Sequence, residues 1–193
     1  MLEHNIGYIE LITFDEGCAE EFKNEYLKLK QKGAKKIILD LRNNTRGFVV
    51  ECLKIADMSL PKDAIELITV DAQNNKDVSK AKTDPIVEGE VVVLINENTA
   101  SASEILTAAL KENGKAKIVG EKTYGKGTVQ ELVTLSSGSQ YKITIKKWLT
   151  PKGNWINDTE GIVLDEEVKL DIKYFDTFKF TLTTFPLKLI CTM

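Results

Sequence analysis

Apolar residues recur along this chain in short blocks whose period switches between two and about 3.6, and the switching predicts alternating strands and helices. Ile6 to Ile12 is rich in β-branched and aromatic residues and predicts a strand, with Phe14-Asp15-Glu16-Gly17 turning the chain into a helix. In that helix Ala19, Phe22, Tyr26 and Leu29 fall on one face, Lys23, Glu25, Lys28 and Lys30 on the other, and Gly33 ends it. Lys36 to Leu41 is a continuous apolar run of the kind found in strands covered on both faces. The loop Asn43-Asn44-Thr45-Arg46-Gly47 leads to a helix with Val49, Cys52, Leu53 and Ala56 in its stripe.

Ile65 to Val70 predicts a further strand, and the polar stretch from Asp71 to Asp84 an exposed connection closed by Pro85. Glu90 to Ile95 is the clearest buried strand. It leads through Asn96-Glu97-Asn98 into a helix carrying Ala102, Ile105, Leu106, Ala109 and Leu110 on one face and stopped by Gly114. Ala116 to Val119 predicts another strand, and Tyr141 to Ile145 alternates as a half-buried strand does. This order of elements predicts an α/β layered domain with a largely parallel sheet. Tyr174 to Met193, interrupted by Pro186, is open between an added edge strand and a poorly ordered tail.

Composition narrows the function classes. A length of 193 residues fits one domain with a substantial core, and a net charge of −3 gives no electrostatic reason to expect nucleic acid. Cys18, Cys52 and Cys191 are widely spaced, with no C-x-x-C pair, so a metal site is not expected; Cys18 and Cys52 read as small apolar residues on helices. No run approaches the ~20 apolar residues of a membrane span, and Met1 to Leu11 lacks the regions of a signal peptide. No cofactor is expected.

Candidate chemistry lies in Thr99-Ala100-Ser101-Ala102-Ser103-Glu104 and Tyr124-Gly125-Lys126-Gly127-Thr128-Val129-Gln130. Ser-x-x-Glu before an apolar helix is a capping box, which gives Ser101 and Glu104 a purely structural role. A serine between a buried strand and a helix N-terminus also sits where free backbone N–H groups and the helix dipole favour negative charge, and the Ala102 amide beside it suits an oxyanion. Both readings are open on the residues alone. The single histidine, His4, stands beside the N-terminus, which leaves lysine as the base for a serine hydrolase.

Lys126 likewise reads either as a solvated lysine in a glycine-rich turn or as a base turned inward by Gly125 and Gly127. A lysine base needs a desolvated setting, since at its ordinary pKa of about 10.4 a lysine is almost wholly protonated at neutral pH. Gln130 supplies an amide to orient the amine, but on a straight strand it lies about 13 Å from Lys126, so a bend near Gly127 is required. Gly125-Lys126-Gly127-Thr128 is no P-loop, because Gly127 separates the lysine from the threonine.

With these residues assembled, the chain resembles the catalytic core of the carboxyl-terminal processing, or tail-specific, proteases. The blocks that carry the resemblance are IGYIELITF, KKIILDLRNN, ECLKIADMSLPK, VVVLINENTASASEIL, KIVGEKTYGKGTVQELV, YKITIKKWLTPKGNWI and GIVLDEEV, in the family's order. The resemblance implies a Clp-protease/crotonase-like α/β core over residues 1–173, with 174–193 as a separate tail. It implies a serine endopeptidase that cuts near protein C-termini through an acyl-enzyme, with Ser101 as nucleophile, Lys126 as general base and Gln130 positioning Lys126.

The oxyanion donors are then the backbone amides of Ala102 and Arg46. The partner implied is a protein or peptide substrate in extended conformation, with a homo-oligomer open, and the compartment implied is extracytoplasmic. Thr45-Arg46 departs from the Pro-Gly-Gly usual in the family, no PDZ domain is present, and Leu164 breaks the expected Gly-Ile-x-Pro-Asp. The alternatives are an impaired or peptide-binding domain of the same fold and, on fold analogy alone, an acyl-thioester enzyme of crotonase type.

Overall fold

The computed structural model describes residues 1–169, so the expectations for 174–193, Cys191 and the boundary at 173 lie outside the described residues. Five parallel strands form the first sheet in the order β1 (Ile6–Glu10), β2 (Lys36–Asp40), β5 (Glu90–Ile95), β6 (Ala116–Gly120) and β9 (Glu166–Glu167). Ile37, Leu39, Val91, Val93, Ile95 and Ile118 point from it into the core. Ile38, Val92 and Leu94 on the opposite face are half-buried, so the cover that the continuous apolar runs predict is complete on one side only.

Helices α1 (Cys18–Gln31), α2 (Val49–Asp57) and α3 (Ala102–Glu112) supply that cover. Ala19, Phe22, Tyr26 and Leu29 of α1 are buried as their spacing predicts. Helix α3 has every residue from Ala102 to Leu110 buried, because it packs against α2, β6 and a second sheet at once. Cys18 and Cys52 are buried on α1 and α2, and burial pushes the Cys52 thiol pKa up, as expected for an inert core residue.

The second sheet is antiparallel, in the order β4 (Lys76–Lys80), β3 (Ile65–Asp71), β8 (Gln140–Leu149) and β7 (Thr128–Thr134). It corrects two expectations. The polar stretch from Asp71 to Asp84 contains strand β4, reached by a tight turn in which Asp71 Oδ1 accepts the Gln73 and Asn75 amides at 2.9 Å each. Charged residues dominate β4 because it lies at an edge. Tyr141 to Ile145 is exposed throughout rather than half-buried, since among the described residues no helix covers the outer part of the β7–β8 hairpin.

Among the described residues no helix is long and apolar enough to cross a membrane.

Candidate active site

Parallel pairing of β2 with β5 brings the loops after their C-terminal ends side by side, where α/β sheets place their sites. The loop after β2 is pinned by its own motif. Asp40 accepts the Arg42 guanidinium at both oxygens, with Nε 2.9 Å from Oδ1 and the nearer terminal nitrogen 2.6 Å from Oδ2, and takes the Tyr8 hydroxyl at 2.6 Å. Burial and then the bond to Asp40 push the Tyr8 pKa up. Asn43 and Asn96 exchange hydrogen bonds at 2.9 Å, and the buried Asn44 donates to the Leu11 carbonyl at 2.8 Å.

The Asn44 carbonyl is the joint to the serine loop. It accepts the Ala100 amide and the Ser103 hydroxyl, both at 3.0 Å. Ser103 is fully buried with its hydroxyl engaged, so of the two serines in this run Ser101 is the one left accessible.

Ser101 has φ 60° and ψ −118°, the first central position of a type II′ turn, closed by the Ser103 amide on the Ala100 carbonyl at 3.3 Å. A side chain there costs on the order of 1–3 kcal/mol, and the sharp strand-to-helix turn lifts the serine out of the backbone.

Ser101 and Glu104 do form a capping box, but its strong half belongs to the glutamate. Glu104 Oε2 accepts the Ser101 amide at 2.8 Å, while the Glu104 amide already has the Ser101 carbonyl at 2.9 Å. The cap therefore does not depend on the serine hydroxyl.

Glu104 does more than cap. It is wholly buried, and its second oxygen accepts the Thr123 hydroxyl at 2.6 Å and the Gly125 amide at 2.7 Å; Oε2 also takes the Lys126 amide at 3.0 Å. One carboxyl group thus fixes the backbone of Ser101 and of Lys126, residues on different loops. Tyr124 adds a backbone bond to the Thr99 carbonyl at 3.0 Å. Among the described residues no hydrogen bond joins Ser101 Oγ directly to Lys126 Nζ.

The bend expected near Gly127 is centred on Lys126 itself. The Gly127 amide donates back to the Gly125 carbonyl at 3.2 Å, a γ-turn. Both tryptophans of the chain hold it: Trp148 Nε1 donates to the Lys126 carbonyl at 2.8 Å and Trp155 Nε1 to the Gly127 carbonyl at 2.9 Å. Asn157 accepts the Gly127 amide at 2.8 Å, and a Cβ on Gly127 would collide with Asn157 Oδ1 and the Trp155 indole. Gln130 lies beyond a bulge at Val129/Gln130, exposed, and donates to Thr144 Oγ1 at 3.5 Å rather than to Lys126.

Ala102 opens α3, and Arg46 lies in the loop after β2 with its side chain exposed. Neither Thr45 nor Arg46 has a positive φ, so the departure from Pro-Gly-Gly imposes no backbone strain. Gly47 alone needs glycine: its φ is 138° and a Cβ would strike the Phe14 backbone. His4 is exposed beside the N-terminus.

Spacing and capping rules pointed to Ser101, Ala102 and Lys126 as candidates. They missed Thr123, Trp148, Trp155 and Asn157, and assigned Glu104 only its cap. The signal that could have raised Glu104 was an acidic residue in a helix stripe otherwise apolar.

Residues 5–168 match the model of peptidase family S41. The chain is 40% identical over 158 residues to the carboxy-terminal processing protease CtpA of Bacillus subtilis (strain 168), covering 81% of this chain and 34% of that protein. It is 39% identical over 165 residues to the carboxyl-terminal-processing protease of Synechocystis sp. (strain ATCC 27184 / PCC 6803 / Kazusa), covering 86% and 38% respectively.

Among solved structures, the photosystem II D1 C-terminal processing protease superposes with a TM-score of 0.77 at 34% identity, over 85% of this chain and 42% of that one. The tricorn protease, with a TM-score of 0.54 at 20% identity over 92% of this chain and 16% of that one, shares the fold. The chain thus spans little more than a third of the curated relatives it matches. The match over nearly all the described residues, with relatives of the same kind by sequence and by structure, shows that this chain belongs to peptidase family S41, the carboxyl-terminal processing proteases.

Proposed function

We propose that this chain is the catalytic core of a serine endopeptidase that cuts near the C-termini of protein substrates through a Ser101–Lys126 dyad. The observation that carries the reading is Glu104, whose buried carboxyl group binds the backbone of both residues and sets the two loops in register. In the reaction, neutral Lys126 Nζ takes the Ser101 hydroxyl proton as Oγ adds to the scissile carbonyl carbon. The Ala102 and Arg46 amides hold the resulting oxyanion. Collapse breaks the C–N bond, the proton passes from Lys126 to the departing amine, and an acyl-serine ester is left.

Water then loses a proton to Lys126 and adds to the ester, and Ser101 leaves with that proton. In this scheme Gln130 turns from Thr144 to orient the lysine amine once substrate covers the turn. The extracytoplasmic setting implied by the resemblance is part of the proposal and is tested by fractionating the native host.

The decisive experiment treats the protein with a fluorophosphonate probe and with an unstructured peptide, comparing wild type with Ser101→Ala, Ser103→Ala and Lys126→Ala. Labelling and cleavage are expected to vanish with Ser101→Ala, to fall at least a hundredfold with Lys126→Ala, and to persist with Ser103→Ala. Labelling lost only with Ser103→Ala sinks the nucleophile assignment. A folded wild-type chain that binds peptide without being labelled favours the peptide-binding alternative.

A further inference from the structure

The chain has two arginines, Arg42 and Arg46, and both stand just after β2. Their settings differ. Arg42 is held by both oxygens of the buried Asp40, so its charge is matched inside the protein. Arg46 is exposed and forms no ion pair among the described residues, not even with Asp15 or Glu16 of the segment that Phe14 bridges to Gly47. An exposed arginine is ordinarily a solvated charge and no more. Position sets this one apart.

The two residues before Ser101 are gripped from different loops. The Thr99 carbonyl accepts the Tyr124 amide and the Ala100 amide donates to the Asn44 carbonyl, both at 3.0 Å, so the lysine turn and the loop after β2 flank Ser101 as two walls. Each wall carries a bare aromatic ring: Tyr124, 71% exposed, stands two residues before Lys126, and Phe48, 60% exposed, two residues after Arg46. Large apolar side chains exposed on both sides of a serine suit an apolar stretch of polypeptide between them. Only the Phe48 wall adds an unmatched cation. Among the described residues the Thr45, Arg46 and Gly47 amides have no acceptor either, so this loop offers main-chain donors and a guanidinium together.

We infer that Arg46 is a specificity residue of this site: its guanidinium pairs with a carboxylate that an otherwise apolar peptide carries close to the scissile bond, either an acidic side chain or the terminal carboxylate. Guanidinium and carboxylate meet as a two-bond fork, which sets the register of the peptide on Ser101 as well as adding affinity. A glycine at position 46, as in the expected Pro-Gly-Gly, keeps the amide but has no such side chain. The inference rests on the proposed peptidase reading for what is bound, and it is tested both with catalysis and without it.

Kinetics use fluorogenic peptides of alanine, valine, leucine and threonine with Glu or Gln at one position at a time, and a further pair ending in a free carboxylate or an amide. The quantity read is the ratio of kcat/KM for the charged and the neutral member of each pair, taken within one variant so that any change in the Arg46 backbone donor cancels. Wild type is expected to favour the charged member about tenfold at one position. Arg46→Gln should bring that ratio to about one, Arg46→Glu below one, and Arg46→Lys should keep part of it. Preference confined to the free-acid pair supports the terminal carboxylate as the source, and preference at an internal Glu supports a side chain. A ratio near one in wild type, a preference spread evenly over all positions, or one unchanged in Arg46→Gln overturns the inference.

The same pairs, labelled with fluorescein, are titrated by anisotropy against Ser101→Ala and against the double variant Ser101→Ala, Arg46→Gln. Where wild type cleaves nothing, a carboxylate preference in binding that vanishes with Arg46→Gln removes the catalytic reading alone. Cleavage without any preference that depends on Arg46 removes the specificity assignment alone.

Discussion

The two halves of the proposed site come from differently built parts of the molecule. Ser101 rises from the parallel sheet, at the head of a helix buried through nine residues, and Lys126 lies in the turn that enters an antiparallel hairpin whose outer part is exposed among the described residues. A packed helix stands behind the first, whereas the second has little buried surface of its own. The difference teaches that the lysine turn is positioned mainly by directed bonds, from Glu104, Trp148 and Trp155, where the serine adds helix burial and backbone geometry to its own bond from Glu104. Removing those bonds should therefore separate the halves.

The largest effect is expected at Glu104. Glu104→Ala leaves the Ser101, Gly125 and Lys126 amides and the Thr123 hydroxyl without their acceptor, at about 1–3 kcal/mol for each group left unpaired, and destabilises the fold by at least about 4 kcal/mol. Glu104→Gln keeps the shape but turns an N–H₂ group toward those donors. It should cost about 2–3 kcal/mol and lower kcat at least a hundredfold with KM little changed. Melting temperature, circular dichroism and steady-state kinetics check both variants. A Gln variant with wild-type kcat would show that the turn holds itself in place.

Next in size is a pH effect where the second sheet meets the helices. Glu66 of β3 is 4% exposed, one of its oxygens has no hydrogen-bond partner, and burial together with the charge of Asp57 raises its pKa to about 7, against the opposing pull of Lys82. Unfolded, the carboxyl titrates near 4.5. Its contribution is thus fully present below pH 4.5, falls as the pH rises and is lost once the pH passes about 7, a change of up to about 3 kcal/mol.

Asp57 and Asp165, whose pKa values are lowered because hydrogen bonds and nearby lysines outweigh burial, act the opposite way in acid. The difference in unfolding free energy between wild type and Glu66→Gln isolates the first effect. It should move in the variant's favour between pH 4.5 and 7 and stay level from pH 7 to 8.

How much could be read from the sequence follows the same division. Buried strands and helices announce themselves by period, so Lys36 to Leu41, Glu90 to Ile95 and the stripe from Ala102 to Leu110 were legible. The Tyr141 to Ile145 alternation was legible as strand but not as exposed, because alternation reports the pleat and not what covers it. Strand β4 hid behind its charges. Ser101 and Lys126 could be named from local chemistry, whereas the bonds from Glu104 to the turn at Thr123–Lys126 join positions some twenty residues apart, which no local pattern encodes.

A smaller effect tests the serine half. At φ 60° and ψ −118°, glycine is relaxed and any side chain is strained, so Ser101→Gly should be about 1 kcal/mol more stable than Ser101→Ala, while both lose the proposed nucleophile. Equal urea midpoints for the two variants would mean that the elbow stores no strain.

The smallest effect marks the far end of the comparison. Ile143 lies on the outer hairpin, 44% exposed and opposite Glu131, so Ile143→Thr exchanges one β-branched residue for another with little burial to lose. The expected change in unfolding free energy is within about 0.5 kcal/mol, although isoleucine-to-threonine changes in a core cost several times more. A loss above about 2 kcal/mol would mean that this face is covered in solution, and the contrast between a packed serine half and an open lysine half would then belong to the isolated chain alone.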